Sequence, residues 1–378
     1  MNQGEPSLAY STDEKALILF ADVIDSSKYS AVLTMEDYAK QLLEIQKLFV
    51  KIGTSYFPIK DNNVSTYTNV DARGDEGTIF YVDQNADSVD SLYKAIMFSF
   101  ELKARLELLH KNVPVPKPIN MGIGIHYGTV ALISCLKEIS GRTKSIINHI
   151  EGFSINYAKR VESASRIGKY SKIFLSKDAA SLISLEPIIL AKYDSSLKGI
   201  DSNEEVYEVM SAFFEDLPFC GDEIERFIDT FGQNNDDLNL LRNPWLKGLV
   251  MSVLDTRLRR SFDNTLKSQY RKQLSEFAWR SPVEDDPILL FWRAKECGED
   301  KRHTLRISYL KNIIKSHPKF LHARIQLAKA CWDVAKTSSK REEIIYAHDT
   351  AYEFVNRFSD CLSEEEKQFY SEILKKCS

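Results

Sequence analysis

The chain has 378 residues, of which 43% are apolar and 28% charged, a composition typical of a soluble globular protein with about two domains. Its net charge of −4 and the absence of a dense Lys/Arg block predict no nucleic-acid-binding surface. The amino-terminus is polar, and no apolar run approaches the ~20 residues of a membrane helix, so we expect a cytoplasmic protein without a membrane anchor. The six cysteines are widely spaced, and we therefore expect neither a zinc site nor a disulfide framework.

The first predicted element is a buried strand. Six apolar residues run from Ala16 to Ala21 and end on the carboxylate of Asp22. Asp25, Ser26 and Ser27 follow, and these residue types favour a helix N-terminus, where free amides and the helix dipole attract phosphate. A carboxylate beside such a turn predicts a nucleotide site. The alternative is that Asp22 only ends the strand before a turn.

A helix and a hairpin are expected next. Met35–Phe57 has the spacing of an amphipathic helix, and residues 64–71 and 77–83 have the pattern of two strands with Asp75 in the connection. If this hairpin lies beside the first strand, Asp75 faces Asp22, and the two carboxylates could hold Mg²⁺ or Mn²⁺ together with water and triphosphate oxygens. A solvated turn residue is the alternative for Asp75.

The following segment predicts a second helix and a second strand pair. Residues 87–110 form an amphipathic pattern, and residues 119–134 read as a hairpin that turns at Gly128. His126 in this pair is expected to be a structural hydrogen-bonding residue. Residues 135–147 are polar and predict an extended arm.

A later helix carries a polar pair. It begins near Gly152 and holds Asn156 and Arg160 four residues apart, so that both lie on one face. An amide beside a guanidinium suits the orientation of a ribose and the neutralisation of a phosphate, although such pairs are also common on solvated helix faces. With short strands at 173–175 and 206–210, the element order predicts an α+β fold, with helices on one side of a mainly antiparallel sheet.

The C-terminal third predicts a separate helical domain. Five segments have helical periodicity: 288–297, 305–316, 320–336, 342–358 and 364–376. One unit resembles a tetratricopeptide repeat, and Trp279, Trp292 and Trp332 are expected in the core. The expected organisation is an N-terminal extension (1–14), an α+β catalytic domain (15–212) and an all-helical, partly tetratricopeptide-like regulatory or sensor domain (213–378).

Four separated segments together resemble the catalytic domain of class III nucleotidyl cyclases, the family of adenylate and guanylate cyclases. These segments are LILFADVIDSS, ARGDEGTIFY, MGIGIHYGTV and EGFSINYAKRVESAS. The resemblance spans about residues 15–210. It implies the cyclase-type fold and an enzyme of the phosphorus–oxygen lyase class, which converts a nucleoside triphosphate into its 3′,5′-cyclic monophosphate and pyrophosphate.

The resemblance also implies a role for individual residues. Two divalent cations, Mg²⁺ or Mn²⁺, would be held by Asp22, Val23 and Asp75. The phosphates would be bound by Val23, Ile24, Asp25, Ser26, Ser27 and Lys198. Asn156 would hold the ribose, and Arg160 would stabilise the charge that develops on the phosphate. In this family the metal carboxylates come from one subunit and the Asn/Arg helix from its partner. A homodimer with composite active sites is therefore implied.

The positions that select the base depart from the family. Asp71 and His149 stand there, and they match neither the ATP nor the GTP pattern. An Asp in place of the Lys of ATP-using members reverses the hydrogen-bond polarity, a mismatch worth about 1–3 kcal/mol. Arg73 offers donors that could reach a pyrimidine carbonyl, unless Asp71 and Arg73 only pair with each other.

These departures, with a helical region after the cyclase segment, resemble the bacterial pyrimidine cyclases of Pycsar anti-phage defence. Such enzymes make cyclic UMP or cyclic CMP, which activates a downstream effector protein. The choice between UTP and CTP stays open. An adenylate cyclase that makes cyclic AMP, and an inactive cyclase-fold module that only dimerises or binds nucleotide, are the alternatives.

Overall fold

A computed structural model describes most of the chain. The described residues are 8–58, 66–109, 119–139, 142–183, 188–196, 203–212, 251, 254–255, 258, 261–280, 287–300, 302–318, 320–357, 362 and 364–377. The chain divides into two compact units, built largely from Met1–Ser184 with Leu190–Met210 and from Gly221–Ser378. Among the helices that the structure describes, none combines the length and the apolar character that a membrane span requires.

An eight-stranded sheet forms the first unit. Its strands are β1 (Leu8–Val23), β2 (Thr66–Arg73), β3 (Glu76–Asp83), β4 (Met121–Ile139), β5 (Arg142–Glu151), β6 (Ile173–Ser176), β7 (Ile188–Ser196) and β8 (Asn203–Ala212). The order is β2-β3-β1-β4-β6-β8-β7, and β5 pairs with β4. The registered pairs are antiparallel except for β4–β6, which is parallel. The predicted α+β fold with a mainly antiparallel sheet is confirmed.

The helices of this unit cover both faces of the sheet. They are α1 (Ser26–Val32), α2 (Met35–Tyr56), α3 (Ser88–Leu109), α4 (Phe153–Ala164) and α5 (Lys177–Ser181). A Cβ atom on Gly77, which pairs with Ala21 of β1, would meet the Phe49 ring of α2. A Cβ atom on Gly124, which pairs with Phe20, would instead meet the backbone of α4.

Because successive residues of a strand point to opposite faces, α2 and α4 lie on opposite sides of β1. The prediction that helices lie on one side is therefore wrong. The physical reason is in β1 itself: Ala16–Ala21 is a continuous apolar run with exposed fractions of 0–7%, and such a run is stable only when both faces are covered.

The strand β4 differs from its prediction. It runs without a turn through Gly128, so the predicted hairpin at that glycine is wrong. A Cβ atom there would lie 2.2 Å from Nε2 of His126 and 2.5 Å from Oγ of Ser154, and Gly128 therefore serves a close contact with α4. The second half of β4, Ala131–Ile139, pairs with β5, and the described residues of the predicted arm lie in these two strands.

His126 is a structural residue, as predicted. Its side chain is 5% exposed, and Nδ1 lies 2.9 Å from Oγ of Ser176. Burial lowers the pKa of His126 to about 4, so the imidazole is neutral at physiological pH.

Other predictions in this unit agree closely with the observed elements. The helices α2 and α3, the hairpin β2–β3 and the strands β6 and β8 lie where the patterns indicated. The strand β7 had no prediction, since its sequence becomes polar after Leu190. Residues 8–14 belong to the predicted N-terminal extension. In the structure they form the first part of β1 and pair with β4 from Leu8↔Cys135 onward.

The described secondary structure of the second unit is helical, as predicted. From Asn264 to Cys377 its helices are α6 (Asn264–Arg280), α7 (Pro287–Glu299), α8 (His303–Ser316), α9 (Leu321–Thr337), α10 (Arg341–Arg357) and α11 (Glu364–Cys377). The helix α6 was missed because its sequence is mostly polar.

The three tryptophans of this unit differ in burial. Trp292 is buried at 3% exposure, and Trp332 is half-buried with its ring 5.6 Å from that of Phe369. Trp279 is 39% exposed, so its assignment to the core is wrong. Two guanidinium groups lie over the Trp279 ring, at 5.8 Å for Arg293 and 5.2 Å for Arg302, and this cation–π contact accounts for its position at the surface.

Candidate active site

The two predicted metal carboxylates meet at one end of the central strands. Asp22 lies opposite Glu76 in the register of β1 and β3, and the N–H of Val23 donates to the main-chain carbonyl of Asp75 at 3.1 Å. The hairpin turn that carries Asp75 therefore lies directly against the end of β1. Burial raises the pKa of Asp22, and the charge of Asp75 raises it further against the opposing effect of nearby cations.

Two cationic side chains lie beside Asp22, and the sequence prediction missed both. Nη2 of Arg166 is 2.9 Å from Oδ2 of Asp22, and Arg166 follows α4 on a short 3₁₀ helix, Ser165–Ile167. Lys159 of α4 is the second cation, and its charge also favours the ionised form of Asp22. Both contacts join residues far apart in sequence, so no local pattern indicates them.

Lys159 is the centre of a small ionic network. It pairs with Glu76 of β3 and, at 3.3 Å, with Glu162 one turn along α4, and its Nζ lies 5.4 Å from the centre of the Phe20 ring. Burial alone would lower the pKa of Lys159, but its two carboxylate partners outweigh this effect and raise it. Glu162 is 1% exposed, and burial raises its pKa. The i, i+3 spacing of Lys159 and Glu162 is the one signal that could have indicated this network.

Tyr38 of α2 is a further neighbour of the two acids. Burial raises the pKa of its phenol, and the negative charges of Asp75 and Asp22 add to that shift. The phenol is therefore un-ionised and faces the electrostatic field of both carboxylates. The amphipathic pattern of α2 identifies Tyr38 only as an apolar-face residue, so this proximity was not predictable.

The donor set fits hard divalent cations. Carboxylates and main-chain carbonyls are the ligands that Mg²⁺ and Mn²⁺ prefer, and Arg166 shows that a cation can approach Asp22 from the surface. Within the described ranges, no group of three or more His, Cys, Asp or Glu side chains could hold a metal ion. A site that rests on Asp22 and Asp75 thus needs its other ligands from main-chain carbonyls, water and a bound phosphate.

The turn after β1 only partly matches the predicted phosphate cradle. The N–H of Ile24 donates to the carbonyl of Asn120 at 2.9 Å, so this amide already has an acceptor, and the substrate role of Ile24 stays a prediction. Asp25 has a left-handed backbone (φ 62°) and precedes α1, in which Ser26 and Ser27 are the first residues. The first amides of a helix have no intrahelical acceptor, and the role of Asp25, Ser26 and Ser27 stays a prediction.

The polar pair on α4 lies on a different side of the helix from Lys159 and Glu162. At 100° per residue, Asn156 and Arg160 lie about 110° around the helix axis from the Lys159 and Glu162 side that approaches Asp22. Asn156 is exposed and Arg160 is half-buried. The structure therefore brings Asp22 and Asp75 together, and it directs Asn156 and Arg160 to a different side of α4.

A cleft of about 510 Å³ opens on the sheet face that α4 covers. Its lining consists of Tyr67, Asn69, Asp71, Arg73, Glu76, Thr78, Phe80, Ile150 and Ile155. Both predicted base-selecting residues of β2 are therefore part of one concave surface. Nε of Arg73 lies 2.8 Å from Oδ2 of Asp71, and the amide of Ala72 donates to Oδ1 at 3.0 Å. Asp71 and Arg73 thus pair with each other, which was one of the two readings of their sequence.

Two predicted site residues fall outside the described side chains. The backbone of His149 lies on β5, opposite Ile133 of β4, but its side chain is not among those described. Lys198 lies outside the described residues.

Comparison with solved structures finds similarity to nucleotide cyclase domains over about half of this chain. The adenylyl cyclase CyaB from P. aeruginosa has 20% identity and a TM-score of 0.42, covering 54% of this chain and 95% of that one. The guanylate cyclase domain of RhGC from Catenaria anguillulae, in complex with GTP, has 17% identity and a TM-score of 0.39, covering 53% and 97%. The dimeric guanylyl cyclase domain of RhoGC from Blastocladiella emersonii has 16% identity and a TM-score of 0.38, covering 54% and 98%. No family model and no curated protein matches the sequence.

Proposed function

We propose that the chain is a nucleotide cyclase, which converts a nucleoside triphosphate into its 3′,5′-cyclic monophosphate and pyrophosphate. The observation that carries this proposal is the main-chain hydrogen bond from Val23 to Asp75, since it joins the turn that carries Asp75 to the strand end that carries Asp22. Asp22 is mostly buried there, with a side-chain exposure of 16%. A mostly buried carboxylate beside a second one needs positive charge to be stable, and a pair of divalent cations satisfies that need.

Asp22 and Asp75 would hold the two cations, Mg²⁺ or Mn²⁺, together with the main-chain carbonyl of Val23. When bound, such ions lower the pKa of the attacking hydroxyl and neutralise charge on the triphosphate. Lys159 and Glu76 fix each other across β3 and α4, so they keep the hairpin turn of Asp75 at a constant distance from the helix. The role of the protein is therefore to hold the acids in position before substrate arrives.

Asn156 and Arg160 would act on the substrate bound by a second copy of the chain. Their position on α4, on a different side from Lys159 and Glu162, supports a two-fold homodimer with composite sites. Asn156 would orient the ribose so that its 3′-hydroxyl faces the α-phosphate in line with the leaving pyrophosphate. Arg160 would stabilise the negative charge that grows on the phosphate during the attack.

The base of the substrate is proposed to be a pyrimidine, from UTP or CTP. The support comes from Asp71 and His149, which depart from both purine patterns, and from the cleft that holds Asp71 and Arg73. Nε of Arg73 contacts the carboxylate of Asp71, so the other guanidinium N–H groups of Arg73 would be the donors to a base carbonyl. A cyclic pyrimidine nucleotide would then act as a second messenger for an effector in anti-phage defence in the cytoplasm, under control of the helical unit.

One observation favours a second candidate, an inactive cyclase-fold module that binds nucleotide or dimerises. Arg166 already neutralises Asp22 from within the chain. A module that never binds metal would keep this ion pair permanently.

The experiment that tests the proposal is product analysis with the full chain. The protein is incubated with ATP, GTP, CTP or UTP and Mn²⁺, and the products are separated by chromatography. Cyclic UMP or cyclic CMP with pyrophosphate is the expected result. Cyclic AMP as the main product would reject the pyrimidine assignment in favour of an adenylate cyclase, and no turnover of any nucleotide would favour the inactive module.

A further inference from the structure

Arg166 makes a contact that the roles described above leave unused. It lies just after α4, and its Nη2 donates to Oδ2 of Asp22 at 2.9 Å. The Arg166 side chain is 58% exposed, whereas that of Asp22 is 16% exposed. The guanidinium therefore reaches from the surface to a mostly buried acid, and that acid is the proposed metal ligand.

The two cations beside Asp22 are held differently. Lys159 is fixed by Glu76 from β3 and by Glu162 from its own helix. In the described part of the chain, the hydrogen bond of the Arg166 guanidinium is to Asp22 alone. Displacement of Arg166 from Asp22 thus breaks a single ion pair, whereas displacement of Lys159 would break a network.

The backbone around Arg166 is anchored although its side chain is exposed. Glu208 of β8 is fully buried and accepts hydrogen bonds from the amides of Lys169 and Tyr170, at 2.9 and 2.8 Å, just after the 3₁₀ helix. The carbonyl of Arg166 itself accepts from Nζ of Lys172 at 2.9 Å. The side chain can therefore change its partner while its attachment point stays beside the site.

A divalent cation at Asp22 and the guanidinium of Arg166 compete for the same carboxylate oxygen, and their like charges repel at that distance. This repulsion favours release of the guanidinium from Oδ2, and its anchored backbone would keep it close to the place where the triphosphate would lie. Guanidinium and phosphate form bidentate, charge-assisted hydrogen bonds, which are among the strongest polar contacts in proteins.

On the basis of the proposed function, we propose that Arg166 is a further substrate-binding residue. It neutralises Asp22 before a cation binds, and it contacts the triphosphate once the cation has taken Asp22. Metal binding and phosphate binding are thereby coupled through one side chain.

The first test measures Mn²⁺ binding to the full chain without nucleotide, by electron paramagnetic resonance. Arg166→Gln removes the competing cation, so we expect Mn²⁺ to bind about fivefold more tightly, the upper range for an exposed ion pair. Lys169→Gln is the matched control, because it removes the same charge from an exposed residue on the same loop. The control should bind Mn²⁺ as the unaltered protein does.

The second test measures the binding of inorganic tripolyphosphate at saturating Mn²⁺, by calorimetry. Arg166→Gln should weaken this binding about tenfold, since a charge-assisted contact is lost, and Arg166→Lys should be intermediate because it lacks the fork of donors. Circular dichroism establishes that each variant is folded.

The outcomes separate this inference from the proposed function. If Mn²⁺ affinity rises equally in Lys169→Gln, or does not rise in Arg166→Gln, the competition at Asp22 is refuted. If tripolyphosphate binds to Arg166→Gln with the same affinity as to the unaltered protein, the proposed contact between Arg166 and the triphosphate is refuted. If the unaltered protein and Arg166→Gln bind Mn²⁺ neither alone nor together with tripolyphosphate, the metal site is refuted, and the proposed function fails with it.

Discussion

At the scale of single residues, the chemistry depends on how the charges around Asp22 are balanced. The acid is mostly buried, a second acid lies across the strand end, and Lys159 and Arg166 supply the compensating charge. Both cations oppose the rise in the pKa of Asp22 that burial and the charge of Asp75 cause. A divalent cation at Asp22 and Asp75 would therefore bind where the two carboxylates already favour positive charge.

Asp75→Asn tests the need for both acids. The change removes one charge from the pair and leaves the turn geometry intact, so we expect turnover to fall at least about 100-fold, the scale of lost metal assistance. Turnover is measured with the preferred nucleotide and Mn²⁺. Asp194→Asn, at a 73% exposed side chain on β7, is the matched control and should keep full activity. Near-normal activity in Asp75→Asn would remove the two-metal argument.

His126 makes the stability of the sheet depend on pH. Its pKa is about 4 in the folded chain and about 6.5 when unfolded, so only the unfolded chain takes up this proton between those values. Stability is therefore lost as pH falls from 6.5 towards 4, by about 2 kcal/mol between pH 7 and pH 5. Hydrogen exchange of β4 amides, corrected for intrinsic rates, measures this loss.

His126→Gln should make β4 exchange less dependent on pH over that range. His348→Gln, on α10 of the second unit, is the control and should leave the pH dependence unchanged. An unaltered pH dependence in His126→Gln would show that another group is responsible.

The residues with local signatures were predictable, and their neighbours were not. Asp22 and Asp75 stand at a strand end and in a turn, which are features of the nearby sequence. Arg166 and Tyr38 reach the site only through long-range packing. The acceptor of the Ile24 amide was not predictable for the same reason, since Asn120 is distant in sequence.

At the scale of elements, the helix α4 is positioned by glycines of β4. A Cβ atom on Gly124 would lie 2.1 Å from the amide nitrogen of Glu162, which belongs to the backbone and cannot turn aside. The helix therefore lies closer to the sheet than any larger residue would permit. Lys159, Asn156 and Arg160 take their positions from this contact.

Gly124→Ala should displace α4 without changing any polar side chain of the site. We expect turnover to fall about 100-fold, as for a misplacement of about 1 Å. A lower melting temperature should accompany the loss. Gly298→Ala on α7, where a Cβ atom would meet only the guanidinium end of Arg306 at 3.2 Å, should keep full activity. Full activity of Gly124→Ala would show that the position of α4 is not critical.

Periodicity identified most elements, but it assigned Gly128 to a turn. A glycine in an alternating segment is equally consistent with a turn and with close packing, and only the position of α4 decides between them. Helix coverage of both sheet faces follows from the contacts of Gly77 with α2 and of Gly124 with α4. The apolar run of β1 was the sequence feature that already required it.

At the scale of the whole molecule, the proposed active site requires two copies of the chain. One copy presents Asp22 and Asp75 at the strand end, and its own Asn156 and Arg160 lie on another side of α4. An active site is then complete only when a second copy contributes that side. The symmetry of a homodimer gives two such sites.

Complementation between two inactive variants tests this central claim most directly. Asp75→Asn and Arg160→Ala are each expected to be nearly inactive as homodimers. When the two are co-expressed with different tags, half of the dimers are mixed and each contains one intact site, so the account predicts about a quarter of the activity of the unaltered protein. A mixture that stays as inactive as its parents, although mixed dimers are isolated through both tags, would contradict the account.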